Sequence, residues 1–146
     1  MLIDFSNRPT IQWSTWEGEM VSVGISIDVP NLAEGVRFYS DAFGFSKVAE
    51  PVPGVVVMKI GATTVCLLEK GAGSKPSPKA QDVRRYDRHW TPVHLDIHVE
   101  DLAEARARAV RAGAIEEQVF VNPEHGSAVF CCDPFGHGFC LIERKA

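Results

Sequence analysis

Much that would assign this chain to a familiar class is missing from it. No apolar run approaches the roughly 20 residues that cross a bilayer, so a membrane-spanning role is not expected. Basic residues are not in excess: 15 Lys and Arg against 19 Asp and Glu give a net charge of −4, which removes the electrostatic reason to expect nucleic acid. The start lacks the charged head and apolar run of a secretory leader. The four cysteines, at 66, 131, 132 and 140, include no C-x-x-C pair, so a reducing, cytoplasmic setting is the simplest expectation. Cys131 and Cys132 are adjacent on a probable strand and point to opposite faces, which suits packed thiols better than a bridge.

What is present is a repeat. Val23-Gly-Ile-Ser-Ile-Asp-Val-Pro-Asn-Leu-Ala-Glu34 returns as Val93-His-Leu-Asp-Ile-His-Val-Glu-Asp-Leu-Ala-Glu104, with six of twelve positions identical. Val65-Cys-Leu-Leu-Glu-Lys70 returns as Phe139-Cys-Leu-Ile-Glu-Arg144. A period near 70 is too long for a solenoid and reads as one module used twice. The spacing divides the chain into an extension (1–20, carrying Trp13 and Trp16), a first module (21–70), a linker (71–92) and a second module (93–146).

Within the first module, Val21, Val23, Ile25, Ile27 and Val29 alternate with Ser22, Gly24, Ser26 and Asp28, which predicts a strand over 21–29 with one packed and one polar face. Asn31 and Glu34 mark a helix start, Leu32, Val36, Tyr39 and Phe43 its apolar stripe, and Gly44 its exit. Strands follow over 55–60 and 63–69, with a short one at 46–50 and a break at 51–54. The second module repeats the order: a strand over 93–99, a helix capped by Asp101 with Leu102, Ala105, Ala109 and Ala112 inward, then strands near 117–121, 127–132 and 138–143. Arg106, Arg108 and Arg111 read as a solvated face, and Asp133-Pro-Phe-Gly136 fits a type I turn. The linker reads first as a solvated connector, and second as a mobile loop over a site; His89 and Trp90 at its end could line that site's mouth. His125 and His137 read as solvent or rim residues.

With Phe38-Tyr39, Phe43-Gly44-Phe45, His94-Leu-Asp-Ile, Asp133-Pro-Phe-Gly136 and Phe139-Cys-Leu-Ile-Glu143 in these places, residues 21–144 resemble the vicinal oxygen chelate superfamily: glyoxalase I, bleomycin-resistance proteins, fosfomycin-resistance enzymes and extradiol dioxygenases. The resemblance implies an α+β fold of tandem β-α-β-β-β modules forming a cupped mixed sheet, and a homodimer. It places the family's four metal-ligand positions at Gly24, Cys66, His94 and Cys140, where glyoxalase-type members carry His or Gln, Glu, His and Glu. Only His94 matches. Standard glyoxalase chemistry, which needs oxygen-rich ligation and a carboxylate base, is therefore disfavoured, as is extradiol dioxygenase chemistry.

No cofactor is the resulting expectation. The alternative is zinc on Cys66, His94 and Cys140, which the repeat and the resemblance would bring together; against it, the cysteines sit among Val65, Leu67, Phe139 and Leu141 as packed thiols would. For function, three readings stand. One is a binder holding a small organic molecule in a cup between modules, with Ser26, Asp28, Cys66, Trp90, His98 and Cys140 as its contacts. Another is a lyase- or isomerase-type enzyme with His94 as acid–base group and Asp96 as its orienting partner. The third is a non-catalytic interaction domain whose cup is filled by its own Trp90 or Ile142.

Overall fold

The computed structural model describes residues 22–145 and, by backbone alone, 15–16 and 19–20. The expectation of an arm carrying Trp13 and Trp16 lies outside the described residues, save for a short antiparallel pair, β1 (Thr15–Trp16) and β2 (Glu19–Met20). The first module is β3 (Ile25–Val29), α1 (Leu32–Phe43), β4 (Ser46–Val52), β5 (Val55–Ile60) and β6 (Thr63–Glu69). The second is β7 (Leu95–Val99), α2 (Leu102–Ala112), β8 (Ile115–Phe120), β9 (Ala128–Cys132) and β10 (Gly138–Glu143). Each makes a four-stranded mixed sheet, in the orders β3-β6-β5-β4 and β7-β10-β9-β8. The first strand of each module runs parallel to the last, and the other neighbours are antiparallel.

Local chemistry accounts for the helices. Asn31 and Asp101 each accept a bond from the backbone N–H three residues on, at 3.0 and 2.9 Å, satisfying a donor that the first helical turn leaves free. Gly44 and Gly113 close the helices in the left-handed conformation, at φ 75° and 115°. The buried face of α1 is wider than its predicted stripe, for Gly35, Phe38 and Ala42 are buried beside Tyr39. The reason is that α1 packs both on its own sheet and against α2, and Phe38 meets Phe135 while Phe43 meets Phe139 of the other module. The arginines of α2 are less free than the sequence suggested: Arg106 makes two bonds to Glu116, at 3.0 and 2.6 Å, and Arg111 reaches Glu104.

Two strands begin later than their alternation implies. The ladders β3/β6 and β7/β10 start at Ile25↔Val65 and Leu95↔Phe139, although β6 reaches back to Thr63 and β10 to Gly138; Val23 and Val93 lie outside the ladders and are 93% and 77% exposed. β4 extends through Pro51, which an edge strand tolerates because its outward N–H would face solvent.

Val29, Met58, Leu67, Val129, Cys131 and Leu141 are fully or almost fully buried in one core that spans both modules. Cys131 and Cys132 are buried free thiols, as expected. Burial, then the charge of Glu116, pushes the Cys131 thiol up to about 12. The folded state therefore holds this proton where the unfolded chain has lost it. The associated stability is complete below the ordinary cysteine range and is lost as pH rises toward 12. At pH 8, iodoacetamide is expected to leave Cys131 unmodified in the native chain and to alkylate it in urea, read by peptide mass mapping. Alkylation of the native chain at the unfolded rate would show the packing to be wrong.

Candidate functional site

Among the described residues β3 and β7 each pair on one side only, and both line a cavity of about 420 Å³. Its floor is aromatic, from Tyr39 and Phe43 of α1 and Phe139 of β10. Ile25, Ile27, Leu95 and Ile97 supply apolar walls. A polar side is made by Asp28, His94, His137 and the linker residues Arg84 and Arg85. From β3 the successive residues Ile25 to Asp28 line the space, whereas β7 contributes the alternate residues Leu95 and Ile97.

The linker is largely exposed, as a connector would be, but several of its side chains are anchored beside this cavity. Arg84 Nε donates to Asp28 Oδ2 at 2.6 Å, and its Nη1 donates to Ser74 Oγ and the Lys75 carbonyl at 3.2 and 2.8 Å. Tyr86 donates its hydroxyl proton to the Lys70 carbonyl at 2.6 Å. Burial and then the charge of Asp28 raise the Tyr86 phenol, with Arg84 opposing, so the hydroxyl stays a donor. Arg88 binds Glu117 of β8 and lies 5.6 Å over the Phe130 ring. Hydrogen bonding to Arg88 holds the Glu117 carboxyl below its ordinary range, against a smaller cost of burial. The linker is thus tied to both modules. Residues 82–86 and 89–91 of the linker line the cavity.

Of the residues singled out from sequence, Ser26, Asp28, Trp90 and His94 line the cavity. Trp90 is 82% exposed, so it sits at the mouth and does not plug the space. Asp96, His98 and Cys140 lie on the face of the second sheet opposite its buried one, in the register Cys140↔Asp96 and Ile142↔His98. Cys66 faces Ser26 in the first sheet. The expected convergence of Cys66, His94 and Cys140 is not what the fold produces. The group that assembles is His94, Asp96 and Cys140, whose donor atoms lie within 4.8 Å of one another. Equivalence by the repeat put Cys66 and Cys140 at matching places of two sheets, but Cys66 pairs beside Ser26 in the first sheet and is not part of the group.

His94 Nε2 is 3.1 Å from Asp96 Oδ1, both about half exposed. Burial and then Asp96 raise the Cys140 thiol, which stays protonated and bonds to that carboxylate. One imidazole, one carboxylate and one thiol suit zinc better than the manganese or magnesium that harder oxygen sites prefer. A bound cation would have to displace the Cys140 proton. His94 belongs both to this group and to the cavity wall, so the two features adjoin.

Sequence reasoning missed Arg84 and His137. His137 is half-buried and bonded to His89 and to the Asp28 carbonyl, where a rim residue was expected. The only signal was the basic, aromatic character of 84–90, since its partners lie up to 109 positions away. His125 is exposed, as expected.

No curated protein matches this sequence. Solved structures do resemble the fold. The fosfomycin resistance protein FosX from Listeria monocytogenes matches with a TM-score of 0.65 at 16% identity, over 86% of this chain and 96% of that one. A glyoxalase-related enzyme from Fulvimarina pelagi gives 0.63 at 17%, over 85% and 88%. Lactoylglutathione lyase from Agrobacterium tumefaciens gives 0.57 at 17%, over 84% and 92%. A variant of FosX was solved with Mn(II) and 1S,2S-dihydroxypropylphosphonic acid. At such identities the likeness establishes the fold alone. Within the described residues no helix is long and apolar enough to cross a membrane. The sequence profile of the glyoxalase-like domain matches residues 24–142, most of the length, and the chain belongs to that family.

Proposed function

We propose that this glyoxalase-like protein binds a small organic molecule in the cavity between its module edges, apolar at one end and polar at the other. The observation that carries the reading is the cavity itself: about 420 Å³, with an aromatic floor and a polar side of Asp28, Arg84, Arg85 and His94. That volume falls in the range of small-ligand sites, which combine mostly apolar linings with a few placed polar groups. Asp28 and Arg84 neutralise each other at 2.6 Å, whereas Arg85 is exposed and pairs only loosely with Asp82, at 3.8 Å, so its guanidinium can still meet a ligand. Ser26 and Trp90 line the entrance side in this reading, and binding requires no metal.

The His94–Asp96–Cys140 group favours a second reading, a lyase- or isomerase-type enzyme with His94 moving a proton and Asp96 orienting it. These three residues would hold the ion, and when bound it would supply Lewis-acid polarisation beside the cavity. A homodimer is part of the proposal too, since the outward sheet faces bearing Cys66 and Cys140 are only partly covered within one chain.

Native mass spectrometry of protein purified without chelator, against a denatured run, separates these readings. An organic mass excess that disappears in Ser26→Trp is the expected result. An excess of one zinc per chain, lost in Cys140→Ser, would favour the enzyme. A ligand excess unchanged by Ser26→Trp would put binding somewhere other than the cavity.

A further inference from the structure

Two histidines meet edge to edge where the linker crosses the second module. His89 Nε2 lies 2.9 Å from His137 Nδ1, and the rings are nearly perpendicular at 83°. Each outer nitrogen faces a backbone carbonyl: His89 Nδ1 is 2.8 Å from the Asp87 oxygen, and His137 Nε2 is 2.7 Å from the Asp28 oxygen. A carbonyl only accepts, so both outer nitrogens carry hydrogen. A neutral imidazole has one N–H, already used at each outer position. Two neutral rings would then point bare lone pairs at each other across a hydrogen-bond distance. The contact requires a third N–H.

We propose that His89 and His137 together bind one extra proton, and that this proton fastens the linker across both modules. Asp87 and His89 belong to the linker, His137 to the turn entering β10, and Asp28 to β3, so a single proton joins three parts of the chain. The inference does not depend on any ligand, although both rings line the cavity.

The charges around the pair come from every packed element. Asp28 of β3 is matched by Arg84. Asp87 adjoins His89 on the linker, and buried Asp133 accepts the His137 backbone N–H at 2.9 Å. Arg88 is matched by Glu117 of β8. Tyr86 is edge-on to His137 at 6.2 Å, Tyr39 of α1 reaches Asp133, and His94 of the β7 side shares the cavity. Asp28, Asp87 and Asp133 favour the charged pair, while Arg84 and Arg88 oppose it.

The sign follows from proton counting. Above the ordinary imidazole range the closed contact holds one proton more than two open, neutral rings, so it is lost as pH rises; below that range two open rings hold two extra protons against its one, so it weakens again in acid. The Arg88–Glu117 tie fails only in acid, because its carboxylate is held below the ordinary range. Together they confine the fastened linker to a window bounded on both sides.

Nitrogen-15 NMR of the histidine rings in the full-length chain tests this. In the closed form three of the four ring nitrogens of the pair should be protonated. Raising the pH should release one proton from the pair in a single step, shared with the amides of residues 84–91. His137→Gln should abolish that step in the linker amides, whereas His125→Gln should leave it. Should His137→Gln fold poorly, trypsin cleavage after Arg84 and Arg85 of the unmodified chain gives a second readout. It should speed up several-fold with rising pH, relative to a free linker peptide. Two rings titrating independently with linker amides unmoved, or a cleavage ratio flat with pH, would overturn the proposal.

Discussion

Asp133→Ala lowers the stability of the folded chain by about 3–5 kcal/mol, the range for stripping a partner from a buried, charge-assisted network. Asp133 is 2% exposed. Its carboxylate accepts the Tyr39 hydroxyl at 2.7 Å and the backbone N–H groups of Phe135 and His137, each at 2.9 Å. The alanine leaves three donors without this partner, two of them buried. It also cuts the polar link between α1 of the first module and the turn that feeds the last strand of the second. Burial, and then Asp133 itself, hold the Tyr39 phenol well above its ordinary value, so this donor does not titrate away at any working pH. Tyr39→Phe removes one bond of the three and is expected to cost about 1–2 kcal/mol. Urea denaturation of the two variants checks both values. A loss under 1 kcal/mol for Asp133→Ala would mean that the network does not join the modules.

Gly136→Ala is the second large effect, about 2–4 kcal/mol, and it acts through the backbone. Gly136 sits at φ +83°, where an L-residue is strained, and a Cβ there would lie 2.0 Å from the Asp87 carbonyl oxygen. That oxygen belongs to the linker, so the methyl group must push the linker off the turn. Gly73→Ala is the control: its φ is similar, +78°, but a Cβ there meets nothing within 4 Å, and about 1 kcal/mol is expected. The two variants should differ further in trypsin cleavage after Arg84 and Arg85, which only Gly136→Ala should accelerate. Equal stability losses would contradict the close approach of linker and turn.

The parts of this molecule that were legible in its sequence are those that local chemistry decides. Both helices run from the predicted cap to the predicted glycine, because Asn31, Asp101, Gly44 and Gly113 act within their own turns. β5 and β6 match their predicted bounds because Gly54 and Gly61 punctuate them. The starts of β3 and β7 were misread because alternation continues upstream of Ile25 and Leu95 while the pairing with β6 and β10 does not. Pattern records a tendency to be a strand, and pairing decides where the strand begins.

The site was legible in part, for a related reason. The repeat singled out the polar residues where the modules differ, and two of them, His94 and Asp96, are neighbours in the structure. It gave no information on which faces of the two sheets oppose each other. Cys66 was therefore grouped with residues of the other sheet. Arg84, Tyr86, His89 and His137 owe their positions to long-range bonds to Asp28, Lys70 and Gly136. A linker with no periodicity carries no trace of such bonds.

The most direct test of the central claim is a fragment screen by amide NMR on the full-length chain, mapping which residues move on binding. Shifts concentrated at 25–28, 82–86, 89–91 and 137–139 are the predicted result, lining the cavity between the module edges. Shifts confined to the sheet face of Asp96, His98 and Cys140, or no fragment moving the cavity residues at all, would contradict it.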